Sequence, residues 1–494
     1  MKNSLIPRAA AAGLLAGLLS GGTDALAAES RPGLQACRLP GVTHEAFCGV
    51  LRRPLDPAKP QGTQIDLHYA VLPALARNRK PDPVLFFAGG PGQSAMALAG
   101  PVGRLLTRLS NRRDVVLVDQ RGTGRSAPLF CDELPPGAPL AEGADPARLV
   151  ARMQACGAQL QKLPHGDLRH YTTWVAMQDA DAVRQALGAA QVNVVGGSYG
   201  TRAVLEYMRQ FPQQVRRAVI DGVAPPDMVL PASFSTDNQA ALDAVFAACE
   251  AEADCRRRHP ALRAGFTALL AGLPRQATLV HPLSGRPERV TLTRDFLLGL
   301  VRGPLYAPAL ASALPQAMDD AAAGRFEGLL GLASALGGGS RAMRIAEGMH
   351  FSVVCAEDLP RLAQAADAPG ADFGNGFAAQ YRRICERWPR GAVPSAFYSL
   401  PPAPAATLVL SGGADPVTPP RHGERVAKAL GAKARHVVVP QAGHGVMALP
   451  CVRDVLFRFI DAETDDAALQ IDADCARQIP RPPAFVPLLA EGPP

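Results

Sequence analysis

Three residues of the types used in nucleophilic catalysis each follow an apolar run. Ser198 comes directly after a valine-rich stretch, Asp415 follows residues 408–410, and His444 follows residues 437–439. A serine hydroxyl becomes a strong nucleophile when a base removes its proton, and that base needs an acid to orient it. The three residue types therefore predict acyl-transfer chemistry, with Ser198 as nucleophile, His444 as base and Asp415 as the orienting acid.

The setting of Ser198 predicts a nucleophile elbow. Residues 192–195 read as a buried strand, and apolar residues recur at helical spacing over 203–211, where Pro212 ends the pattern. Between them, residues 196–200 match Gly-x-Ser-x-Gly, in which a strained strand-to-helix turn holds the hydroxyl above a sheet. Because glycine and serine are common, a glycine-rich turn without catalytic function is the alternative reading.

The partners favour the elbow. Taken singly, a histidine in a glycine loop or an aspartate before proline is more often a packing or turn residue. Here Ser198, Asp415 and His444 stand at three strand ends in the chain order of α/β-hydrolases. His422, which follows Asp415 closely in a predicted helix, is a less suitable base.

An oxyanion hole is the fourth part that such chemistry needs, because a carbonyl oxygen gains charge in the transition state. The string Phe-Phe-Ala-Gly-Gly-Pro-Gly over 86–92 ends a predicted strand with glycines that can turn backbone N–H groups inward. We predict Tyr199 and Gly90 as the backbone donors. A tight Gly-Pro turn without this function is the alternative.

The elements that position these residues alternate between strands and helices, which predicts an α/β fold with a mostly parallel sheet and helices on both faces. Ligands of such sheets bind at the carboxyl ends of the strands. The predicted strands cover 64–74, 83–92, 113–124, 192–195, 215–226, 406–420 and 434–445, and a predicted helix covers 174–187.

The composition changes along the chain predict four segments. Residues 1–27 carry Lys2 and Arg8, a short apolar stretch and a small-residue cleavage pattern, which predict a removed signal peptide. Residues 28–226 form the first part of the α/β-hydrolase core, 227–402 an inserted helical lid, and 403–494 the second part of the core with a C-terminal segment.

The predicted signal implies export to the periplasm or the extracellular space, without a membrane span after the signal is removed. Outside the reducing cytosol, ten cysteines predict disulfides. Sequence alone does not fix connectivity, and pairing between neighbours keeps each bridge within one segment. The predicted pairs are Cys37 with Cys48, Cys131 with Cys156, Cys249 with Cys255, Cys355 with Cys385, and Cys451 with Cys475.

Metal and nucleic-acid functions find no support in the pattern. No cysteine pair has C-x-x-C spacing and no cysteine cluster has histidines at zinc-finger spacing, so we expect no metal. The net charge of +7 comes from scattered arginines, and short clusters such as 256–258 predict a solvated helix face.

The motifs together resemble one family, the secreted tripeptidyl aminopeptidases and their prolyl aminopeptidase relatives among the α/β-hydrolase serine peptidases. The resemblance covers nearly the whole chain after the leader. Ala88 stands where strictly proline-specific relatives usually carry histidine, which argues against a strict proline preference. The motifs are Gly89–Gly92, 119–126 ("DQRGTGRS"), 196–202 ("GGSYGTR"), 412–419 ("GGADPVTP") and 443–445 ("GHG").

This resemblance implies a serine exopeptidase that releases tripeptides or single residues from peptides with a free N-terminus, without a cofactor. A carboxylesterase with the same triad is the second hypothesis, because a fold does not fix the substrate. An inactive hydrolase that serves as a binding module is the third, and it requires a lost triad member.

Two further predictions concern neighbouring residues. The resemblance places amine recognition in the lid, where Glu357 and Asp358 follow an apolar run beside Cys355, and we expect Glu357 to bind the substrate amine. Capping of a helix near Leu359 is the alternative for these acids. We expect the loop that contains Ser126 to support the oxyanion turn.

Overall fold

A nine-stranded sheet organises the part of the chain that the structure describes. The computed structural model describes residues 31, 33–135, 137–337 and 344–486, so the predicted signal peptide lies outside it. The strands are β1 (Gln35–Cys37), β2 (Ala46–Pro54), β3 (Gln64–Leu72), β4 (Val84–Phe87), β5 (Val115–Val118), β6 (Val192–Gly197), β7 (Val215–Asp221), β8 (Arg275–Val280), β9 (Pro287–Leu292), β10 (Thr407–Gly412) and β11 (Ala434–Val439).

The strand order in the large sheet is β1-β2-β3-β5-β4-β6-β7-β10-β11. The run from β5 to β11 is parallel throughout, whereas β1, β2 and β3 add an antiparallel edge. The mostly parallel sheet that the sequence predicts is therefore confirmed. Its carboxyl ends at β4, β6, β7, β10 and β11 share one edge.

The helices cover both faces of the sheet and form the lid. Those of the core are α1 (Ala99–Leu105), α4 (Thr173–Ala186), α5 (Tyr199–Gln210), α15 (Pro420–Leu430), α16 (Pro450–Asp461) and α17 (Asp465–Leu469). Those outside it are α2 (Leu140–Ala144), α3 (Pro146–Leu160), α6 (Leu230–Ala251), α7 (Ala253–Arg258), α8 (Leu262–Ala271), α9 (Arg294–Leu305), α10 (Pro308–Ala311), α11 (Leu314–Ala322), α12 (Glu327–Gly337), α13 (Glu347–Glu357) and α14 (Gly376–Cys385).

The central strands are apolar at nearly every position because helices bury both of their faces. In β4, Phe86 packs in one core cluster with α1 and α16, and its neighbour Phe87 packs in a second cluster with α4 and α5. The alternation follows from the two-residue repeat of a strand. It gives the site a rigid base on each side of the sheet.

Beside its helices, the lid contains a β-hairpin that the sequence did not predict. Within 227–402, β8 and β9 form an antiparallel two-stranded sheet whose residues are mostly exposed. Only one side of this hairpin, at Leu279, Val290 and Leu292, reaches the apolar core of the lid. Strands this polar lack the continuous apolar run that marks the strands of the core.

A second excursion of the chain also contributes to the lid. Helices α2 and α3 lie between β5 and α4, within the segment predicted as core, yet the Leu140 N–H donates to Glu288 Oε2 of β9 at 2.7 Å. Helix α3 contacts α13 and α14 in the same region. The cover over the strand ends therefore comes from two separate stretches of sequence.

The five disulfides join the pairs that sequence proximity predicts. The Cys37–Cys48 bridge ties β1 to β2, and the Cys355–Cys385 bridge ties α13 to α14. Bridges of this kind are typical of proteins in oxidising compartments. Across the described ranges, no helix is both long enough and apolar enough to cross a bilayer.

Candidate active site

Ser198 lies on a sharp turn between β6 and α5. Its backbone has φ 56° and ψ −125°, a strained conformation for a residue with a side chain. The two flanking glycines make the turn possible. A Cβ atom on Gly200 would lie 2.2 Å from the Phe87 carbonyl oxygen, and one on Gly196 would lie 2.3 Å from the Gly200 carbonyl oxygen. This geometry is that of a nucleophile elbow.

Asp415 and His444 form a directly bonded pair beyond β10 and β11. His444 Nδ1 lies 2.8 Å from Asp415 Oδ2, which also accepts from Thr418 Oγ1 at 2.8 Å. The other carboxylate oxygen, Oδ1, accepts from the N–H groups of Val417 and Thr418 at 2.9 Å each. Because both of its oxygens accept hydrogen bonds, the Asp415 carboxylate is fixed in orientation. His444 Nδ1 faces this carboxylate, so Nε2 faces away from it.

The charges of the pair support each other. Burial disfavours the charged form of Asp415, but the His444 imidazole and the two N–H donors outweigh it and hold the pKa of Asp415 below its ordinary value. Burial likewise disfavours the imidazolium, but the charge and hydrogen bond of Asp415 outweigh this effect of burial and raise the pKa of His444. The arrangement stabilises a protonated histidine, which is what a base needs after it has taken a proton.

The elbow and the His444 loop lie side by side. A Cβ atom on Gly222 would be 3.3 Å from His444 Cε1. Asp221, the neighbour of Gly222 in the chain, accepts the Ser198 N–H at its carbonyl oxygen at 2.8 Å. Among the described residues, the side chains that bond the His444 imidazole are Asp415 and Thr418, so the structure does not join Ser198 Oγ directly to it. Such contacts commonly tighten only when substrate binds.

The turn predicted as the oxyanion hole lies against the elbow. A Cβ atom on Gly89 would lie 3.3 Å from Ser198 Cβ, and Gly90 has φ 110°, which glycine tolerates. The lid holds this turn from above, because the Ala346 N–H donates to the Gly92 carbonyl oxygen at 2.9 Å. His350 Nδ1 lies 3.2 Å from the Pro91 carbonyl oxygen.

The 119–126 loop supports the same turn, in line with the sequence prediction. Asp119 accepts from Ser94 Oγ at 2.6 Å, two residues beyond the turn, and from the Met96 N–H at 3.0 Å. Ser126 is fully buried, and its Oγ accepts from the His68 N–H at 2.8 Å. Ser126 thus fastens a loop to β3.

The structure assigns Glu357 and Asp358 a position that differs from the predicted amine site. Both side chains are 0% exposed and bond Arg202 of α5, with Asp358 Oδ1 and Oδ2 at 3.1 and 3.0 Å from its guanidinium. Glu357 Oε1 also accepts from the Thr173 N–H at 2.6 Å. A substrate amine would have to compete with these partners, so these contacts do not favour the prediction that Glu357 binds the amine, which stays a prediction.

The Arg202 cluster instead fastens α13 of the lid to α5 of the core. Burial raises the pKa of Glu357 to about 7 despite the opposing charge of Arg202, so the carboxylate depends on this partner for its charge. We expect Arg202→Met to lower the free energy of unfolding by about 3–5 kcal/mol, because it leaves buried carboxylates unpaired. Denaturant unfolding measures the change.

The matched control for that prediction is Arg148→Met. Arg148 pairs with Glu142 at the surface, where 54% of its side chain is exposed, so its loss should cost no more than about 1 kcal/mol. Equal effects of the two substitutions would show that the Arg202 cluster does not hold the lid to the core.

A cavity of about 460 Å³ opens beside Gly90 between the two lid excursions. This volume lies within the range of small-molecule sites. Its wall carries the acids Asp132, Glu133 and Glu347 with Arg152 as the basic residue, and the apolar part of the lining includes Ile345, Phe351 and Tyr381. Within the described ranges, no three His, Cys, Asp or Glu side chains are grouped as metal ligands.

Sequence reasoning missed several residues of this region. Tyr306 of the lid accepts from the His444 N–H at 2.9 Å, and its ring packs edge-on against the imidazole at 5.2 Å between centroids. Asp221 lies at the end of β7 beneath the His444 loop. The acid that ends the apolar run in "AVIDG" is a local signal for Asp221, whereas no local pattern marks Tyr306.

The sheet order, the strand-to-helix turn at Ser198 and the three residues at the strand ends have the arrangement of the α/β-hydrolase fold. Comparison with known families agrees, because residues 82–258 match the family described as alpha/beta hydrolase fold. Residues 369–475 match the family described as TAP-like protein. The chain therefore has the α/β-hydrolase fold, and its C-terminal region is similar to the TAP-like family.

Individual relatives carry peptidase and esterase names. The chain is 34% identical to a tripeptidyl aminopeptidase of Streptomyces lividans over 36% of this chain and 35% of that protein. It is 31% identical to the serine protease Hip1 of Mycobacterium tuberculosis over 37% of this chain and 36% of that protein. A carboxylesterase B of Mycobacterium tuberculosis is 29% identical over 78% of each chain. The match to the two peptidases thus spans about a third of their length.

Proposed function

We propose that this protein is an exported serine exopeptidase that releases short N-terminal units from peptides. The observation that carries the proposal is the Asp415–His444 pair, bonded at 2.8 Å at the same sheet edge as the strained Ser198 elbow. The names of the two peptidase relatives support it. Five disulfides support export.

The proposed reaction proceeds through an acyl-enzyme. His444 Nε2 takes the proton of Ser198 Oγ as that oxygen attacks the scissile carbonyl carbon, and the oxyanion forms against the N–H groups of Gly90 and Tyr199. His444 then gives the proton to the leaving amine, and the C–N bond breaks. Water, deprotonated by His444, attacks the acyl carbon, and Ser198 leaves with the proton restored. Asp415 orients the imidazole throughout.

An exopeptidase must also bind the substrate's ammonium group, and the cavity beside Gly90 offers the acids for it. Glu347 is the most constrained of them: it begins α13, is half-buried, and its Oε2 accepts from the Cys131 N–H at 3.2 Å. Asp132 and Glu133 lie exposed at the rim, and Glu133 pairs with Arg344 at 2.7 Å. We propose Glu347 as the amine anchor in place of Glu357.

We expect Glu347→Gln to raise KM for a tripeptidyl p-nitroanilide by roughly 10- to 100-fold, the scale of an ammonium left without its charged partner. Turnover of the neutral ester p-nitrophenyl acetate should hardly change, because it has no ammonium group. Steady-state kinetics on both substrates measure the difference. Glu463→Gln, an exposed glutamate of the core, is the matched control. Equal losses on ester and peptide would remove Glu347 from amine binding.

A carboxylesterase is the second candidate, favoured by the relative of that name, which matches over most of both chains. A panel of aminoacyl, dipeptidyl and tripeptidyl p-nitroanilides, each with a free and an acetylated N-terminus, decides between the two. Cleavage of free-amine amides only supports the exopeptidase. Turnover of esters without any amide supports the esterase, and equal cleavage of acetylated amides would indicate an endopeptidase.

A further inference from the structure

One buried acid joins the nucleophile elbow to the loop of the base. Asp221 is the last residue of β7, between β6 and β10 in the sheet, and is 0% exposed. Its carbonyl oxygen accepts from the Ser198 N–H at 2.8 Å. Its side-chain Oδ2 accepts from the N–H groups of Val446 and Met447 at 2.8 Å each, just past His444. The same residue thus fixes both reacting parts.

The second carboxylate oxygen of Asp221 takes no part in holding the His444 loop. Asp221 Oδ1 is fully buried and has no hydrogen-bond partner among the described residues. Burial raises the pKa of Asp221 to about 6, against the two N–H groups that favour its charged form. A buried acceptor without a partner is costly and needs an explanation. The bonds that anchor the His444 loop use Oδ2 alone, so they do not explain why Oδ1 is buried without a partner.

The group that benefits from this charge is the imidazole of His444. A Cβ atom on Gly445 would lie 3.9 Å from Asp221 Oδ2, so the carboxylate lies directly below the base loop. The negative charge of Asp221 favours the protonated form of His444 and adds to the larger effect of Asp415. From the lid side, Arg302 opposes protonation and the Tyr306 ring packs against the imidazole.

We propose that Asp221 is a positioning residue that holds the His444 loop against the Ser198 elbow and supplies a second negative charge to the imidazolium formed during the reaction. The inference rests on the proposed function, in which His444 carries the serine proton. Asp221 takes no proton and forms no covalent bond. It acts through His444 and lowers the free energy of the charged intermediate state.

The test is Asp221→Asn, which keeps the shape of the side chain and an acceptor oxygen for Val446 and Met447. We expect kcat on p-nitrophenyl acetate to fall by roughly 10- to 100-fold, with KM changed less than about 3-fold. The acid limb of kcat/KM against pH should move to lower pH, because loss of the negative charge lowers the pKa of His444. A neutral ester avoids titration of a substrate amine.

The pH profile separates this inference from a purely structural role. A lower kcat with an unmoved acid limb, or wild-type kinetics, would overturn the proposal and leave Asp221 as a loop anchor. If Asp221→Asn does not fold, Asp221→Glu is tested instead. Because this variant keeps the negative charge, the proposal expects a lower kcat and an acid limb of kcat/KM at the same pH as in the wild type. A limb shifted to lower pH in folded Asp221→Glu would contradict it.

Ser198→Ala, assayed in parallel, distinguishes failure of this inference from failure of the proposed function. If Ser198→Ala retains turnover, His444 does not act on Ser198 and the proposed function falls together with the assignment of Asp221. If Ser198→Ala is inactive and Asp221→Asn behaves as wild type, only the assignment of Asp221 is lost.

Discussion

Ser198→Ala should reduce kcat for tripeptidyl amides and for esters by at least about 10⁴-fold, because the change removes the only atom that can form the proposed acyl-enzyme. The stability of the protein should stay the same. The strain at φ 56° belongs to the backbone, which alanine shares. Steady-state turnover and thermal unfolding measure the two quantities.

The control for this variant is Ser399→Ala, which removes an exposed hydroxyl bonded only to the Ala396 carbonyl oxygen and should retain full activity. Labelling with a fluorophosphonate adds a readout that does not depend on the choice of substrate: the wild type should react covalently at Ser198, and Ser198→Ala should not. Activity of a tenth of wild type or more in Ser198→Ala would refute the assignment of the nucleophile, as would labelling at another serine.

The strands, and the placement of Ser198, Asp415 and His444 at their carboxyl ends, could be predicted because their signals are local. Valine-rich runs such as 192–195 occupy central strands, and Ser198, Asp415 and His444 each follow such a run closely enough to share the sheet edge. The parallel arrangement follows from the helices between the strands. Local sequence therefore determines which residues stand at the strand ends.

The position of Glu357 could not be predicted because its partner is distant in sequence. Arg202 lies in the elbow motif, 155 residues earlier, and nothing near Glu357 shows that α13 packs its acids onto that arginine. An acid after an apolar run is equally consistent with a binding site and with a buried ion pair. Only the packing of α13 on α5 decides between the two.

The cavity beside Gly90 was hidden for a related reason. Its wall comes from the Asp132 and Arg152 region of one excursion and from Glu347 of the other, which lie far apart in the chain. Contacts between helices of similar amphipathic pattern leave no trace in the sequence of either helix. Sequence patterns thus locate the candidate reactive groups better than they locate the cavity beside them.

Asp415→Asn should lower kcat by about 10³- to 10⁴-fold while KM changes little, because the substitution reverses the hydrogen bond that sets the tautomer of the base. The asparagine oxygen can still accept from the N–H groups of Val417 and Thr418, which leaves the amide NH₂ facing His444 Nδ1. That NH₂ donates to Nδ1 and places the imidazole proton on Nε2, where it blocks transfer from Ser198.

The pH profile gives this prediction a second, independent readout. Asp415 raises the pKa of His444, so its replacement by a neutral amide should lower that pKa and move the acid limb of kcat/KM to lower pH. The matched control is Asp454→Asn, which removes an exposed carboxylate paired with Arg108 at the surface and should affect neither kcat nor the limb. If Asp415→Asn lost less than about 10-fold in kcat with its acid limb in place, the orienting acid of His444 would have to be another carboxylate. Asp221, which lies directly beneath the same loop, would then be the first carboxylate to test by substitution.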